Sequence, residues 1–505
     1  MTGIEGFLTP FINWELILYI AAGVFVGIYV GAIPGLSVTM AVAILISFTF
    51  SWPLMPAIAV MVGVFVGGVY GGSRASILLN IPGAPSAFAA TFDGFPMAQK
   101  GEAGIAMGIC TTECVIGAIF GIIILATLSP LISLIALKFT PMHFFILGIM
   151  GLLLIGSLAK GSMLKALATA FIGVMIGLVG MDPIIGQGRL TFGINSLMGG
   201  ISFVVVMIAI FGVSEAMLQL RHNVTPVKQE IDKIIPSRKV VIKHMPLALR
   251  SGALGVFIGA LPGTGGDIAS LIAYDQAKRT VKNPSRPFGQ GAIEGLIAPE
   301  AAASACIGGA FIPMMTLGIP GDSVTAIMIG AMIIHGVRPG PLLMQEQPEI
   351  FFTMLGCLLI AVIFLYIFGM QGIKLFSKIV EIPKAIIIPI IIVLTIIGSY
   401  SINNSIEDIY WMVGFGIFGY LLKMYDYPVA PMVLGVILSS IIEINWRRSM
   451  EMMESNITAF IQYLFTNPIS LLLIALIVVM MVSQSNWWKN RSKETAIANK
   501  NISAD

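Results

Sequence analysis

The sequence predicts an all-α polytopic membrane protein made of two inverted-topology repeats, each with a re-entrant helical hairpin and a broken transmembrane helix, with about 11–12 crossings in total. Three observations predict it. Of 505 residues, 57% are hydrophobic and 10% charged, and mean hydropathy is +0.96, far from the composition of a soluble domain. "GAIPG" (Gly31 to Gly35) followed by "NIPGAPS" (Asn80 to Ser86) returns as "GALPG" (Gly259 to Gly263) followed by "GIPGDSV" (Gly318 to Val324). Lys and Arg gather at a few loop positions that alternate with apolar segments.

The first apolar segment carries no basic residue before Arg74, so it lacks the positive region of a cleavable signal and is expected to remain in the mature protein. Residues 14–51 read as a hairpin with its tip at Pro34 and Gly35, opening outward between Glu5 and Glu15 and the uncharged "SFTFSW". A broken helix follows at 55–91, then helices near 104–128, 144–158, 162–180 and 197–219. Residues 221–250 form a basic cytoplasmic linker, which closes the first repeat at about residue 220.

The second repeat covers 251–445. Its hairpin, 251–281, has its tip at Pro262 and Gly263 and cytoplasmic charge on both flanks (Arg250, Lys278, Arg279). A broken helix at 291–335 and helices near 350–370, 385–400, 409–422 and 429–444 complete it. Residues 446–505 add one transmembrane helix near 462–484 and the basic tail "WWKNRSK". Five crossings per half is an odd number, so successive copies face opposite ways. The positive-inside rule puts the linker, the 278–286 and 374–384 clusters and the tail in the cytoplasm, with a weaker turn at Lys160 and Lys165. The N-terminus is then outside and the C-terminus inside.

Proline removes a backbone donor and glycine admits dihedrals that other residues resist, so each Pro-Gly pair breaks a helix within the membrane. Such backbone is tolerated at that depth where it is buried in protein or lines a wet cavity. Broken ends offer free amides to anions and free carbonyls to cations. The substrate-binding candidates are therefore Pro34, Gly35, Leu36, Ser37, Asn80, Pro82, Gly83, Ala84, Ser86, Pro262, Gly263, Thr264, Gly265, Pro320, Gly321, Ser323 and Thr325. Short polar and glycine positions of this kind suit a small carboxylate held by amides and hydroxyls, with no lysine clamp required. Single Ser and Thr residues at these places also fit the role of N-cap.

Carboxylates inside a membrane are costly and are candidates for function. Asp322 leads as a coupling-ion residue, a Na+ ligand or a protonatable acid, with Asn80, Thr39 and Asp267 beside it; capping of the following half-helix is the alternative role for Asp322. Na+ is the one metal this set suits, and no cofactor beyond H+ or Na+ is expected. Glu113 lies within a helix, and Glu300 is expected near the cytoplasmic surface. Arg74 is expected to snorkel to an interface, with a countercharge role as its alternative. His143, His222, His244 and His335 read as solvated loop residues. Cys110, Cys114, Cys306 and Cys357 read as small apolar packing. There is no HExxH, GxSxG or Walker A pattern, so neither a membrane protease nor an ATP-driven pump is supported, and ion gradients remain as the energy source.

"GGSRASILLNIPGAPSAFAATFDGFPMAQKGEAG" (Gly71 to Gly104), "GALPGTGGDIASLIAYDQAKR" (Gly259 to Arg279), "PFGQGAIEGLIAPEAA" (Pro287 to Ala302) and "FIPMMTLGIPGDSVTAIMIGAMIIHGVRPGP" (Phe311 to Pro341) resemble the signature stretches of the TctA-type large membrane subunit of the tripartite tricarboxylate transporters. "DPIIGQGRLTFG" (Asp182 to Gly193) and "YPVAPMVLGVILSSIIEINWRRSM" (Tyr427 to Met450) resemble its more distal ones. The resemblance implies uptake of small di- or tricarboxylates across a bacterial or archaeal inner membrane, driven by a proton or sodium gradient. It also implies a small TctB-like membrane subunit, a TctC-like extracytoplasmic solute-binding protein and an elevator-like motion. Ala303 and Ser304 stand where members often carry two asparagines, and Asp322 stands where many read "GIPGS"; these departures leave the ion and the carboxylate open. A stand-alone cation-coupled anion carrier, a passive channel and a homo-oligomer are the remaining alternatives.

Overall fold

The computed structural model describes residues 3–33, 36–80, 82–158, 162–182, 186–220, 234–372 and 384–484. Pro34 and Gly35, Lys160, His222, residues 221–233 of the basic linker, the 374–383 cluster and the basic tail lie outside the described residues.

The first hairpin is α1 (Gly3–Ile12) leading into α2 (Trp14–Ala32) and α3 (Val38–Thr49). Asn13 caps α2 by accepting from the Glu15 and Leu16 amides at 3.0 and 3.4 Å, and Ser37 caps α3 by accepting from the Met40 amide at 3.0 Å. These caps satisfy donors that neither hydrocarbon nor the helix itself could satisfy. α4 (Leu54–Leu79) ends where Asn80 takes a left-handed conformation with φ 56°, and the chain resumes in a 3-10 turn (Pro85–Ala87) and α5 (Phe88–Gln99). α6 (Ala103–Ala136), α7 (Pro141–Leu158), α8 (Met163–Gly177) and α9 (Phe203–Leu218, with a π-helical stretch at Ile208–Val213) follow.

The second half opens with α10 (Arg238–Gly259) and α11 (Gly265–Thr280). α12 (Glu294–Leu317) ends on left-handed Gly318 with φ 71°, and α13 (Ser323–Ile334) restarts on a capping box between Asp322 and Thr325. α14 (Pro348–Gln371), α15 (Lys384–Asn403), α16 (Ile406–Met424) and α17 (Ala430–Met452) complete the series. Among the described residues, a helix ends before and another starts after each Pro-Gly pair, in the same order in both halves.

Among the described residues, seven helices are long and apolar enough to cross a membrane: α2, α4, α6, α10, α12, α14 and α17. The chain is a multi-pass membrane protein. The expected extra C-terminal crossing is not one straight helix: α18 (Ile457–Thr466) and α19 (Pro468–Gln484) meet at a 78° bend, since Pro468 has no amide with which to continue α18. Among the described residues there are also six shorter apolar helices, four of which fall where further crossings are expected. One small departure from an all-helical reading is an antiparallel pair, β1 (Gly180–Met181) with β2 (Gly188–Arg189).

The core packs by close backbone approach. Gly23, Gly27 and Gly31 of α2 lie against the α4 backbone at Val60, Val64 and Gly68, and Gly255 and Gly259 of α10 lie against α12 at Ala302 and Cys306. Stripes of small residues let apolar helices gain dispersion contacts where lipid offers no hydrophobic driving force. α12, rich in Ala and Gly, is buried along its whole apolar length.

Polar clasps join the elements as well. Asp93, wholly buried, accepts from the amides of Gly289, Gly291 and Ala292 at 2.8–2.9 Å and from the Tyr274 hydroxyl at 2.9 Å, tying α5 to α11 and to the loop before α12. Glu102 and Arg286 pair through two bonds of 2.6 and 2.7 Å across the same junction. Asp182, Arg189, Glu443 and Arg447 form a further network that holds the β1–β2 segment to α17.

Candidate functional site

Both breaks are fixed by contacts to the hairpins. The Gly83 amide donates to the Gly72 carbonyl at 3.2 Å, and a side chain at Gly83 would overlap the Gly31 carbonyl. In the second half the Gly263 amide donates to the Gly321 carbonyl at 2.8 Å, and a side chain at Gly321 would begin 2.6 Å from the Gly259 carbonyl. Glycine is needed at these two places because the neighbour is backbone and has nowhere to go.

The four interrupted elements meet at one cavity of about 570 Å³. Of the residues singled out from sequence, Ser37, Thr39, Ala84, Ser86, Gly263, Thr264, Gly265, Asp267, Asp322 and Ser323 line it. Leu36, Asn80, Pro82, Gly83, Pro262, Pro320, Gly321 and Thr325 do not. Asn80 is exposed at the end of α4, while Gly83, Gly321 and Thr325 are buried behind the lining. A side chain at Gly266 would lie 3.4 Å from the Ser86 Cβ, and one at Gly265 would lie 3.5 Å from the Asp322 Cβ, so the second hairpin tip bridges the breaks of both halves.

Asp322 accepts from the Thr325 amide at 2.8 Å and from its hydroxyl at 2.7 Å, both at Oδ1, while the Asp322 amide donates to the Thr325 hydroxyl at 2.9 Å. The capping role weighed from sequence is therefore filled by the same carboxylate that lines the cavity.

Two expectations are overturned by burial. Arg74 does not snorkel: it is 1% exposed, donates to the Tyr70 hydroxyl and to the Gly369 carbonyl at 2.6 Å, and stands 4.7 Å from the Tyr70 ring centre. Its neighbours on α4 and α14 close over it before any interface is in reach. Glu300 is not at a surface: it is 3% exposed, and the Cys110 and Cys114 thiols each donate to its Oε2 at 3.2 Å. The i, i+4 spacing of the two cysteines thus serves a buried carboxylate, a polar role that the apolar-packing reading missed. Glu113 is buried and its Oε2 has no hydrogen-bond partner.

The histidines also differ from the solvated reading. His143 is 1% exposed and bridges the Thr140 amide and Asn467 at 2.9 and 3.1 Å. His335 bridges the Ala331 and Trp52 carbonyls at 2.7 and 3.0 Å, and His244 meets Glu294 at 3.1 Å.

Sequence reasoning missed one wall of the cavity. Glu215 of α9, Lys423 at the end of α16, and the Asp426–Pro431 segment line it, and Lys423 Nζ lies 2.6 Å from Glu215 Oε2. The "YPVAP" stretch was the available signal, but only the tertiary approach of α16 to α9 makes it part of a cavity.

Helix breaks that bring polar residues to one cavity within a bundle of apolar helices define a membrane transport protein. The chain belongs to the tripartite tricarboxylate transporter TctA family, whose description matches residues 17–434, and it is a transport protein, not an enzyme. It is 36% identical over 415 residues to an uncharacterized 52.8 kDa protein in the TAR-I ttuC' 3' region of Agrobacterium vitis, covering 80% of each chain. It is 38% identical over 228 residues to an uncharacterized protein in the TAR-II ttuC' 3' region of the same organism, covering 45% of this chain and 92% of that one. No solved structure matches it.

Proposed function

We propose that the chain is the large permease subunit of an ion-gradient-driven tripartite carrier that imports small di- or tricarboxylates, and that substrate and coupling cation bind where the four breaks meet. The observation that carries this is the convergence of Ser37–Thr39, Ala84–Ser86, Gly263–Asp267 and Asp322–Val324 on one cavity. Helix ends there supply amides for an anion and carbonyls for a cation.

Charge supports cation coupling. Among the described residues the lining holds the carboxyls of Glu215, Asp267, Asp322 and Asp426 against the single ammonium of Lys423. An anion enters such a lining only in company with protons or metal cations that neutralise part of it. Asp322 and Asp267, at the breaks, are the coupling-ion residues of this reading, with Na+ or H+ as the ion and no other cofactor.

The two halves are read as inverted repeats, with the N-terminus outside and the C-terminus in the cytoplasm, in a bacterial or archaeal inner membrane. Hairpins and broken helices then move together as an elevator against the remaining helices. Substrate arrives from a TctC-like binding protein, and a TctB-like subunit completes the complex.

The test is counterflow in proteoliposomes. Saturable exchange of a labelled carboxylate, and its uphill accumulation under an imposed Na+ or H+ gradient, are expected; flux that neither saturates nor accumulates would mark a passive pore.

A further inference from the structure

We propose that Lys423 is the residue that selects substrates carrying at least two carboxylates over monocarboxylates, by receiving the carboxylate that the helix breaks do not hold. This rests on the carboxylate-carrier reading above and adds to it the residue that sets the number of carboxylates accepted.

Anions in a membrane-embedded cavity need donors at each charged end. The breaks provide one such place, built from Ser37, Ser86, Ser323 and the amides around them. Beyond them the wall is largely apolar, with Phe65, Val69, Phe211 and Ile307 suited to a carbon skeleton. Among the described lining residues, Lys423 alone offers a cationic donor for a second carboxylate. Glu215 and Asp426 line the cavity too and would repel a second carboxylate that Lys423 did not receive.

The Lys423–Glu215 pair suits this use. The two side chains are 15% and 16% exposed, so the pair is largely shielded from water yet open to the cavity. An ammonium has three donors, and one bond to Glu215 leaves it able to bind a second carboxylate without giving up the first. Glu215 holds the long lysine stem in place and neutralises it when no substrate is bound. A monocarboxylate held at the breaks gains nothing from this wall, so discrimination arises from the second charge alone.

Half-saturation for counterflow tests this in proteoliposomes of the full chain reconstituted with its small membrane subunit and binding protein, using succinate, malate and glutarate, each compared with its monoamide, which keeps a single carboxylate. Wild type is expected to favour the acid over the monoamide by about tenfold or more. Lys423→Gln should raise half-saturation far more for the acid than for the monoamide, shrinking that ratio to below about threefold, and Lys423→Arg should restore most of it. Lys423→Gln leaves Glu215 unpaired, so the Glu215→Gln/Lys423→Gln double variant removes both charges and should lose discrimination in the same way. An unchanged ratio in both Gln variants, or an equal loss for acid and monoamide, overturns the role of Lys423 and leaves the carrier reading standing. Wild type that carries none of the six compounds overturns the carrier reading itself.

Discussion

Asp322 combines a structural and a proposed functional role at one side chain, and the two separate cleanly. Asn is as good an N-cap as Asp, so Asp322→Asn keeps an oxygen for the Thr325 amide and loses only the charge. The variant is expected to melt within about 1 kcal/mol of wild type and to lose ion-coupled uptake. A larger stability loss with coupling intact would mean that the carboxylate matters for the cap alone. Gly321 makes the opposite case. Gly321→Leu forces a side chain onto the Gly259 carbonyl and Ala310, which costs about 1–3 kcal/mol by overpacking and should abolish transport; thermal melts and uptake assays check both. The Pro-Gly breaks were legible in the sequence because their cause is local, in the dihedrals of two residues. The burial of Arg74 and Glu300 was not, because it depends on which helices close over them: Gly369 for Arg74, Cys110 and Cys114 for Glu300.

Elements are joined mainly by two kinds of contact, small-residue stripes and buried polar clasps. Asp93 belongs to the second kind. Its removal would strand three backbone amides and a tyrosine hydroxyl in a buried junction, each at about 1–3 kcal/mol, so Asp93→Ala should lower stability by at least about 4 kcal/mol. Glu102 and Arg286 join the same elements in a more exposed setting. The hydrogen bonds from Arg286 hold the Glu102 carboxyl below its ordinary value of 4.5. A folded pKa below the unfolded one contributes stability that is complete above the unfolded value and is lost as pH falls through the folded one. Glu102→Gln should therefore cost about 0.2–1 kcal/mol at neutral pH and nothing once the pH is well below 4.5, as thermal melts in detergent across that range would reveal. The order and approximate span of helices were readable from hydropathy. The bend at Pro468 was also present in the sequence, as an Asn-Pro pair, but a hydropathy window averages over it.

At the scale of the whole molecule, Ser37–Thr39, the second hairpin tip and the two broken helices meet at one cavity although their residues are far apart in sequence. Repetition of the Pro-Gly pairs made that convergence legible. The wall bearing Glu215 and Lys423 was not, since no repeated signal accompanies it and it forms only when α9 and α16 pack together. The proposed inverted orientation predicts that single cysteines placed in the 186–194 loop and in the 281–290 loop are labelled from opposite sides of the membrane; labelling from one side would refute it. The central claim is that carboxylate and coupling cation share the cavity at the four breaks. Uphill accumulation of labelled carboxylate, with Na+ and H+ gradients imposed separately, tests it most directly when wild type and Asp322→Asn are compared in matched proteoliposomes. The account predicts accumulation by wild type under at least one gradient and none by the folded variant; equal accumulation by both would contradict it.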